Sequence, residues 1–352
     1  MLDRRRSTAG TRRGIRAGRV ALPTAAAGLV VVAVVSMALG RYLVPVGHVV
    51  DVLVGQVTGQ AYPGPATEHD VVTLVRLPRV LLGVLVGGGL AVGGVALQAA
   101  FRNPLVSPQV IGVSSGASFG GALALVLGLG TGYLVVSAFV FGLVALGVVF
   151  LVTAGRGGAS MLMIVLGGVV TGSFFTALVS LLTYLADPYT TLPAIVFWLL
   201  GSLATATFAK VLVAAVPVLL GTAVLLALRW RINVLSLGDE DATAVGIRPQ
   251  PVRWTVLTAV ALIVAGAVAV SGVIGWVGLV IPHLVRMWVG PDHRVLLPVS
   301  FFVGAAFLVT VDTLARTLSA GEIPLGVLTA LVGAPAFFVL LRRNRDRIWD
   351  RA

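Results

Sequence analysis

The stretch of sequence that decides the fold runs from Arg76 to Leu105 and reads RLPRVLLGVLVGGGLAVGGVALQAAFRNPL. No charged residue lies between Arg79 and Arg102, a run of 22 positions. About 20 apolar residues of helix cross the hydrocarbon core of a bilayer, so this run predicts a membrane-spanning helix. Its adjacent glycines predict that other helices pack closely against it, because small residues let helix backbones approach one another in membranes.

The rest of the chain has the same character. Of its 352 residues, 58% are hydrophobic and 11% are charged, against roughly 25% charged residues in soluble domains. This composition excludes a water-soluble fold. The chain has no cysteine and only four histidines, so disulfides and thiolate metal sites are excluded and a zinc or haem site is not expected. We expect no metal site and no cofactor held by this chain.

Counting the uncharged stretches predicts an all-α, polytopic membrane protein with ten transmembrane helices. Residues 188–209 are apolar too, but Pro188 and Pro193 near their start favour a re-entrant or surface helix over a span. Residues 254–285 are too many for one plain span and carry glycines at their middle, which favours two crossings. A cleaved signal peptide is the alternative for the first stretch. The spans are predicted in 20–40, 80–101, 103–155 (two), 157–186, 211–228, 254–285 (two), 295–315 and 323–341.

The charges indicate the orientation of these spans. The net charge is +12, and the basic residues form short clusters between apolar stretches, as the positive-inside rule predicts. Nucleic-acid binding is therefore not expected. The ten-span topology puts 20 basic residues inside and five outside, with both termini cytoplasmic in a multi-pass protein of the cytoplasmic (inner) membrane. It divides the chain into an Arg-rich tail (1–19), one transmembrane domain (20–341) with a cytoplasmic loop (229–253), and a basic tail (342–352).

The sequence offers no catalytic residue and no nucleotide site. The glycine-rich phosphate loop needs a lysine after glycines, whereas the only lysine, Lys210, follows Ala-Thr-Phe-Ala. An ion-coupled secondary carrier would use acids deep in its spans, and only Asp312 qualifies. Arg316 stands one turn away, which favours an ion-paired helix-end residue. A membrane-embedded scaffold or sensor is a third possibility. The favoured interpretation is a pore-forming subunit that another protein drives from the inside.

Several motifs, in order, then resemble one known family. The chain is similar over about residues 70–342 to the FecCD family, the permease subunits of type II ABC importers for iron–siderophore, haem and cobalamin. The fold of that family has ten spans, in agreement with the count above. The motifs are RLPR at 76–79, LQA at 97–99, NPL at 103–105, GVSSGA at 112–117, LSLGDEDA at 235–242, GLVIPH at 278–283, DHR at 292–294 and EIPLG at 322–326.

The resemblance implies the function and the partners. It predicts a permease subunit that passes a metal chelate, most often a ferric siderophore in this family, with haem or cobalamin as the alternative. Two ABC ATPase subunits would contact the cytoplasmic face and bind ATP and Mg²⁺. An extracytoplasmic substrate-binding protein would deliver the cargo. A second permease chain, identical or paralogous, would complete a dimer in the lipid bilayer.

The resemblance also implies roles for three outer arginines, Arg76, Arg79 and Arg316. From the residues alone, anchoring at the membrane interface by snorkelling is the favoured explanation. Exposed arginines can also bind carboxylates through paired hydrogen bonds. In the family, arginines at these positions dock glutamates of the binding protein, so we expect these three to be exposed docking residues.

Two inner segments are assigned in the same way. The family places its cytoplasmic gate, along the translocation path, at the residues matching Asn103 and Leu105. The gate continues in the loop after the fourth span, whose side chains here are smaller than in some relatives: Gly158, Ala159 and Ser160. The coupling helix that contacts the ATPase begins at Gly238 with acids at its positive end, and we expect its small residues to fit the ATPase groove. Its residues are Gly238, Asp239, Glu240, Ala242 and Gly246.

Overall fold

A computed structural model describes residues 3–153, 161–319 and 321–343, and these residues form helices without any strand. A π-helical turn, Val71–Arg76, joins the third helix to the fourth, and a short 3₁₀ turn, Pro108–Ile111, precedes the fifth. The α-helices are α1 (Asp3–Ala38), α2 (Val46–Thr58), α3 (Ala66–Asp70), α4 (Leu77–Ala100), α5 (Val113–Val126), α6 (Thr131–Thr153), α7 (Met161–Leu185), α8 (Thr191–Leu199), α9 (Phe208–Ala227), α10 (Arg229–Leu235), α11 (Asp239–Ala244), α12 (Pro249–Ser271), α13 (Val277–Val289), α14 (His293–Thr317) and α15 (Leu325–Arg343).

Seven segments of the described chain are long and apolar enough to cross a membrane, which confirms the all-helical membrane fold. They are Val20–Ala38 of α1, the continuous helix Ala66–Ala100, and α6, α7, α9, α12 and α14. Three shorter apolar helices, α5, α13 and α15, lie where the sequence predicts the remaining spans. With 14 and 13 residues, α5 and α13 rise about 20 Å, less than the roughly 30 Å core. The count of ten stays a prediction.

Two ambiguous stretches are resolved by their helices. In 188–209 the structure has α8, whose nine residues are too short to span, and α9 begins only at Phe208. In 254–285 the chain breaks between α12 and α13. Gly272 at this break has φ +68°, and a Cβ on it would lie 2.1 Å from the carbonyl oxygen of Trp198. The predicted interruption is therefore present, although α12 is a full-length helix of 23 residues rather than a short one.

The deciding stretch forms α4, the central helix of the bundle. It is buried along nearly its whole length and packs against α9, α12, α13 and α14. Its glycines make this possible, as the sequence predicts. A Cβ on Gly87 would lie 2.4 Å from the carbonyl oxygen of Gly304 in α14, and one on Gly94 would lie 1.9 Å from that of Gly278 in α13. We call the end of α4 at Leu77 its outer end and the end at Ala100 its inner end, as named from the predicted topology.

Candidate functional site

At the outer end of α4, Arg79 lies between two carboxylates. Its Nε donates to both oxygens of Asp312 at 2.9 and 2.8 Å, and its Nη1 and Nη2 donate to the two oxygens of Glu322 at 2.9 and 2.8 Å. Asp312 is on α14 and Glu322 in the loop before α15. Arg79 thus joins α4 to both segments through charge-assisted hydrogen bonds, the strong kind.

Arg76 and Arg316 bind the C-terminal end of α1. Arg316 donates to the carbonyl oxygen of Leu39 at 2.7 Å and to that of Ser36. Arg76 donates to the carbonyl oxygens of Met37, Ala38 and Tyr42. The last carbonyls of a helix have no partner within it and carry partial negative charge, so these cations stabilise the helix end. We call Arg76, Arg79, Asp312, Arg316 and Glu322 the outer charge cluster.

The prediction that the three arginines are exposed is wrong. Arg76, Arg79 and Arg316 are 4%, 7% and 8% exposed, and their guanidinium groups bind groups of the same chain. Snorkelling towards solvent is excluded for the same reason. Docking of a binding protein by these residues stays a prediction, and it would require the internal bonds to break first. The interpretation of Asp312 as an ion-paired residue is confirmed, with Arg79 as its main partner and Arg316 Nε at 3.8 Å.

The helix α7 presents a face that sequence analysis missed. It packs against α5 and α6, and its other side borders an open cavity of about 550 Å³. The hydroxyl groups of Thr176 and Ser180 are satisfied within this apolar helix. Each donates a hydrogen bond to a carbonyl oxygen one turn back, at 2.8 and 3.0 Å. Their spacing of four residues was the signal that could have revealed the face. We call it the α7 face; it consists of five residues of α7 and one residue of the neighbouring 3₁₀ turn: Gly168, Gly172, Ser173, Thr176 and Ser180, with Gln109.

The segment that follows α4 forms a tight turn at the inner end. The side-chain oxygen of Asn103 accepts a hydrogen bond from the backbone N–H of Leu105 at 2.9 Å. Leu105 is 54% exposed. A leucine held outward by an Asn-stabilised turn is available to contact another element. The other predicted gate residues, Gly158, Ala159 and Ser160, lie outside the described residues, so the gate stays a prediction.

The short helix predicted after Gly238 is present as α11, and its role in coupling to an ATPase stays a prediction. One expectation fails: Ala242 is fully buried in its own chain, because it packs inward in the core instead of facing an ATPase groove. Glu240 and Gly246 are exposed, and Gly246 has φ +81°, the left-handed conformation that ends a helix readily at glycine. Near them, Leu237 is 69% exposed.

Buried Arg253 links α11 to the central helix. It is 1% exposed, its Nη2 donates to Asp239 Oδ1 at 2.8 Å, and its Nε donates to the carbonyl oxygen of Ala100 at 3.4 Å. Nearby, Arg286 of α13 donates to the side-chain oxygen of Gln98 at 3.1 Å. Arg253 belongs to α12, so the inner end of α4 is linked to α11 through this one side chain of α12 and is bonded to α13 through Gln98.

No metal centre emerges from the described part of the chain. It holds no group of three or more His, Asp or Glu residues close enough to bind an ion. His293 lies with its Nδ1 2.9 Å from the side-chain oxygen of Asn233. That contact joins α14 to α10 and gives the histidine a structural partner.

Comparison with known proteins gives consistent matches along the chain. A model of the FecCD transport family matches residues 28–343. The molybdate import system permease protein MolB of Haemophilus influenzae is 47% identical over 313 residues, 89% of this chain and 92% of the relative. A probable iron chelatin transport system permease protein of Helicobacter pylori is 42% identical over 271 residues, 77% and 82% of the two chains. A solved ABC transporter assigned to the metal-chelate type, inward-facing, matches with TM-score 0.83 and 45% identity over 92% of this chain and 98% of that one.

Proposed function

The chain belongs to the FecCD transport family and is an ABC importer permease, and on this premise we propose that two such subunits pass a metal oxyanion or a metal chelate between their α7 faces. The first candidate cargo is a molybdate-type oxyanion. A ferric siderophore, the cargo expected from the sequence, is the second, ahead of haem and cobalamin. The observation that carries this proposal is the uncovered α7 face.

A membrane-helix face that carries three hydroxyl groups beside an amide favours a cavity or a protein neighbour, since polar side chains in spans usually face the bundle or a cavity. Ser173, Thr176 and Ser180 on this face are exposed in the single chain. A second copy placed against α7 would cover it and enclose a path. The described lining has no charged side chain, so Gln109 and Ser173 can donate hydrogen bonds to an anion without holding it as tightly as an arginine would.

Two observations support the two cargoes separately. The relative that is 47% identical over 89% of this chain is named for molybdate import, which favours a small oxyanion. The relative that is 42% identical over 77% of this chain is named for an iron chelatin, which favours a siderophore. The side-chain amide of Gln109 and the hydroxyl group of Ser173 on the α7 face are hydrogen-bond donors that suit oxygen atoms of either cargo.

For energy coupling we propose that two ATPase subunits, which bind ATP and Mg²⁺, contact the exposed side of α11 around Leu237, Glu240 and Gly246. The hydrogen bonds of Arg253 would transmit their movement to α4, and the turn at Asn103 and Leu105 would form the inner gate. A binding protein would dock on the outer side. Both termini would lie in the cytoplasm, with the protein in the cytoplasmic membrane.

Reconstitution tests this function. Proteoliposomes that contain the permease, its ATPase and its binding protein should take up radiolabelled molybdate. This uptake should occur only when ATP is present on the side of the membrane where the ATPase lies. Uptake of a ferric siderophore in place of molybdate would make the second cargo the correct one. Uptake by the permease alone, driven by a proton gradient, would contradict the proposal and favour a secondary carrier that uses Asp312.

A bulky side chain on the α7 face should block the path. We expect Thr176→Phe to slow ATP-driven uptake at least about tenfold, because the conductance of a pore depends on its diameter. Thr310→Phe is a matched control, since Thr310 is an exposed threonine with the same hydrogen bond one turn back on α14. The control should transport at the wild-type rate. Equal rates for both variants and wild type would exclude the α7 face as the path.

A further inference from the structure

We propose that a crevice between α6, α8 and α9 is a binding site for an anionic phospholipid, with the phosphate of its headgroup on Lys210 and an acyl chain in the apolar interior. The crevice is separate from the α7 face and shares no lining residue with it. The proposal does not depend on the cargo or on the transport cycle.

The interior of the crevice suits a hydrocarbon chain. Its volume is about 850 Å³, within the roughly 300–1,000 Å³ typical of ligand pockets, which are mostly apolar with a few polar groups. Leu134 and Val135 of α6, Phe197 and Trp198 of α8, and Val270 of α12 line it.

One end of the crevice is suited to an anion. Lys210, the only lysine of the chain, lies in the first turn of α9, and its Nζ donates to Thr205 Oγ1 at 2.6 Å. Among the described carboxylates none pairs with it. An ammonium group has three donors, so two remain for phosphate oxygens. The hydroxyl groups of Thr131 and Thr207 lie on the same lining.

The crevice opens towards the membrane. Val136 of α6 and Val213 of α9 line it and are also 61% and 52% exposed. Beside this mouth, Tyr133, Leu212 and Val216 are 69%, 69% and 70% exposed. Large apolar side chains that are exposed on spans contact acyl chains in a bilayer. A lipid chain is therefore the apolar group with direct access to the crevice, and charge complementarity with Lys210 selects an anionic headgroup.

The expected preference for an anionic phospholipid over a phospholipid without net charge is modest. Moving an acyl chain from the bilayer into this crevice exchanges one apolar surrounding for another and adds little. Selectivity comes from the cation, and one lysine near anionic lipid headgroups supplies about fivefold enrichment.

Native mass spectrometry of the full-length permease, extracted from bilayers of equal phosphatidylglycerol and phosphatidylcholine content, tests the site. Wild type should retain phosphatidylglycerol about fivefold over phosphatidylcholine. Lys210→Gln should abolish this preference and Lys210→Arg should keep it. Arg248→Gln, which removes an exposed cation from the loop before α12, should leave it unchanged. Equal retention of both lipids by wild type, or an unchanged preference in Lys210→Gln, would overturn the proposal.

A second variant tests the contribution of the lipid's acyl chain independently of its headgroup. Ala194 is exposed on the α8 side of the crevice, and Ala194→Trp should fill the interior and lower phosphatidylglycerol retention without any change of charge. Excess inorganic phosphate should not displace the lipid. Full displacement by phosphate would identify a site for free anions instead. Protection of Lys210 from amine-reactive reagents by a second copy, in the absence of lipid, would identify a protein interface and equally contradict the lipid assignment.

Discussion

Replacement of Asp312 by asparagine is expected to lower the free energy of unfolding by about 3–5 kcal/mol, the usual cost of removing one partner from a buried ion pair. Asp312 is 2% exposed. Without its charge, three buried arginines, Arg76, Arg79 and Arg316, would share Glu322 as their remaining carboxylate within the outer charge cluster. Thermal unfolding of the purified permease in detergent measures the effect.

Two further variants make this prediction specific. Glu322→Gln should cost only about 1 kcal/mol, because its side chain is 29% exposed and water replaces part of the lost interaction. The double variant Asp312→Asn with Arg79→Gln should be more stable than the sum of the single effects predicts, since it removes both partners. A melting temperature for Asp312→Asn equal to that of wild type would mean that the cluster does not stabilise the bundle.

The contribution of Glu322 to the stability of the folded protein depends on pH in a predictable direction. Hydrogen bonds from Arg79 lower the pKa of the Glu322 carboxyl in the folded protein. The pair therefore contributes stability that is fully present above the unfolded pKa of about 4.3 and is lost as the pH falls through the lower, folded value. Glu322→Gln should remove this part of the acid sensitivity.

Gly94→Ala is the second change with a large expected effect, a loss of at least about 3 kcal/mol, since overpacking of a tight core costs 1–3 kcal/mol and sometimes more. The new methyl carbon would lie 1.9 Å from the carbonyl oxygen of Gly278. The methyl carbon is fixed in place by the backbone of α4 and the oxygen belongs to the backbone of α13, so no side-chain rotation can relieve the contact. The helices α4 and α13 would have to move apart.

The chain contains a matched control for this substitution. Gly147 lies within α6, and a Cβ there would meet nothing within 4 Å. Gly147→Ala should therefore keep the stability or raise it by up to about 1 kcal/mol, the difference in helix propensity. Melting temperatures of the two variants that agree within experimental error would contradict the backbone contact between α4 and α13.

Features that depend on short segments of the chain were predictable. The charge-free run after Arg79 predicts the central helix, and the break that contains Gly272 is visible as an interrupted apolar stretch. The α7 face was predictable in principle from the spacing of Thr176 and Ser180, but hydroxyl groups that bond within their own helix look unremarkable in an apolar sequence. The inward orientation of Ala242 was missed because a small residue suits a core and an interface equally.

The sequence by itself determined that this protein is a helical bundle in a membrane and to which family it belongs. Those properties follow from the length of apolar runs and from local motifs, which act over one or two helical turns. Only the tertiary structure decided that Arg79 pairs with Asp312, 233 positions away, and that the outer arginines are buried. Burial and pairing of a charge depend on which helices become neighbours, and in a membrane this is decided by the summed packing of many small contacts.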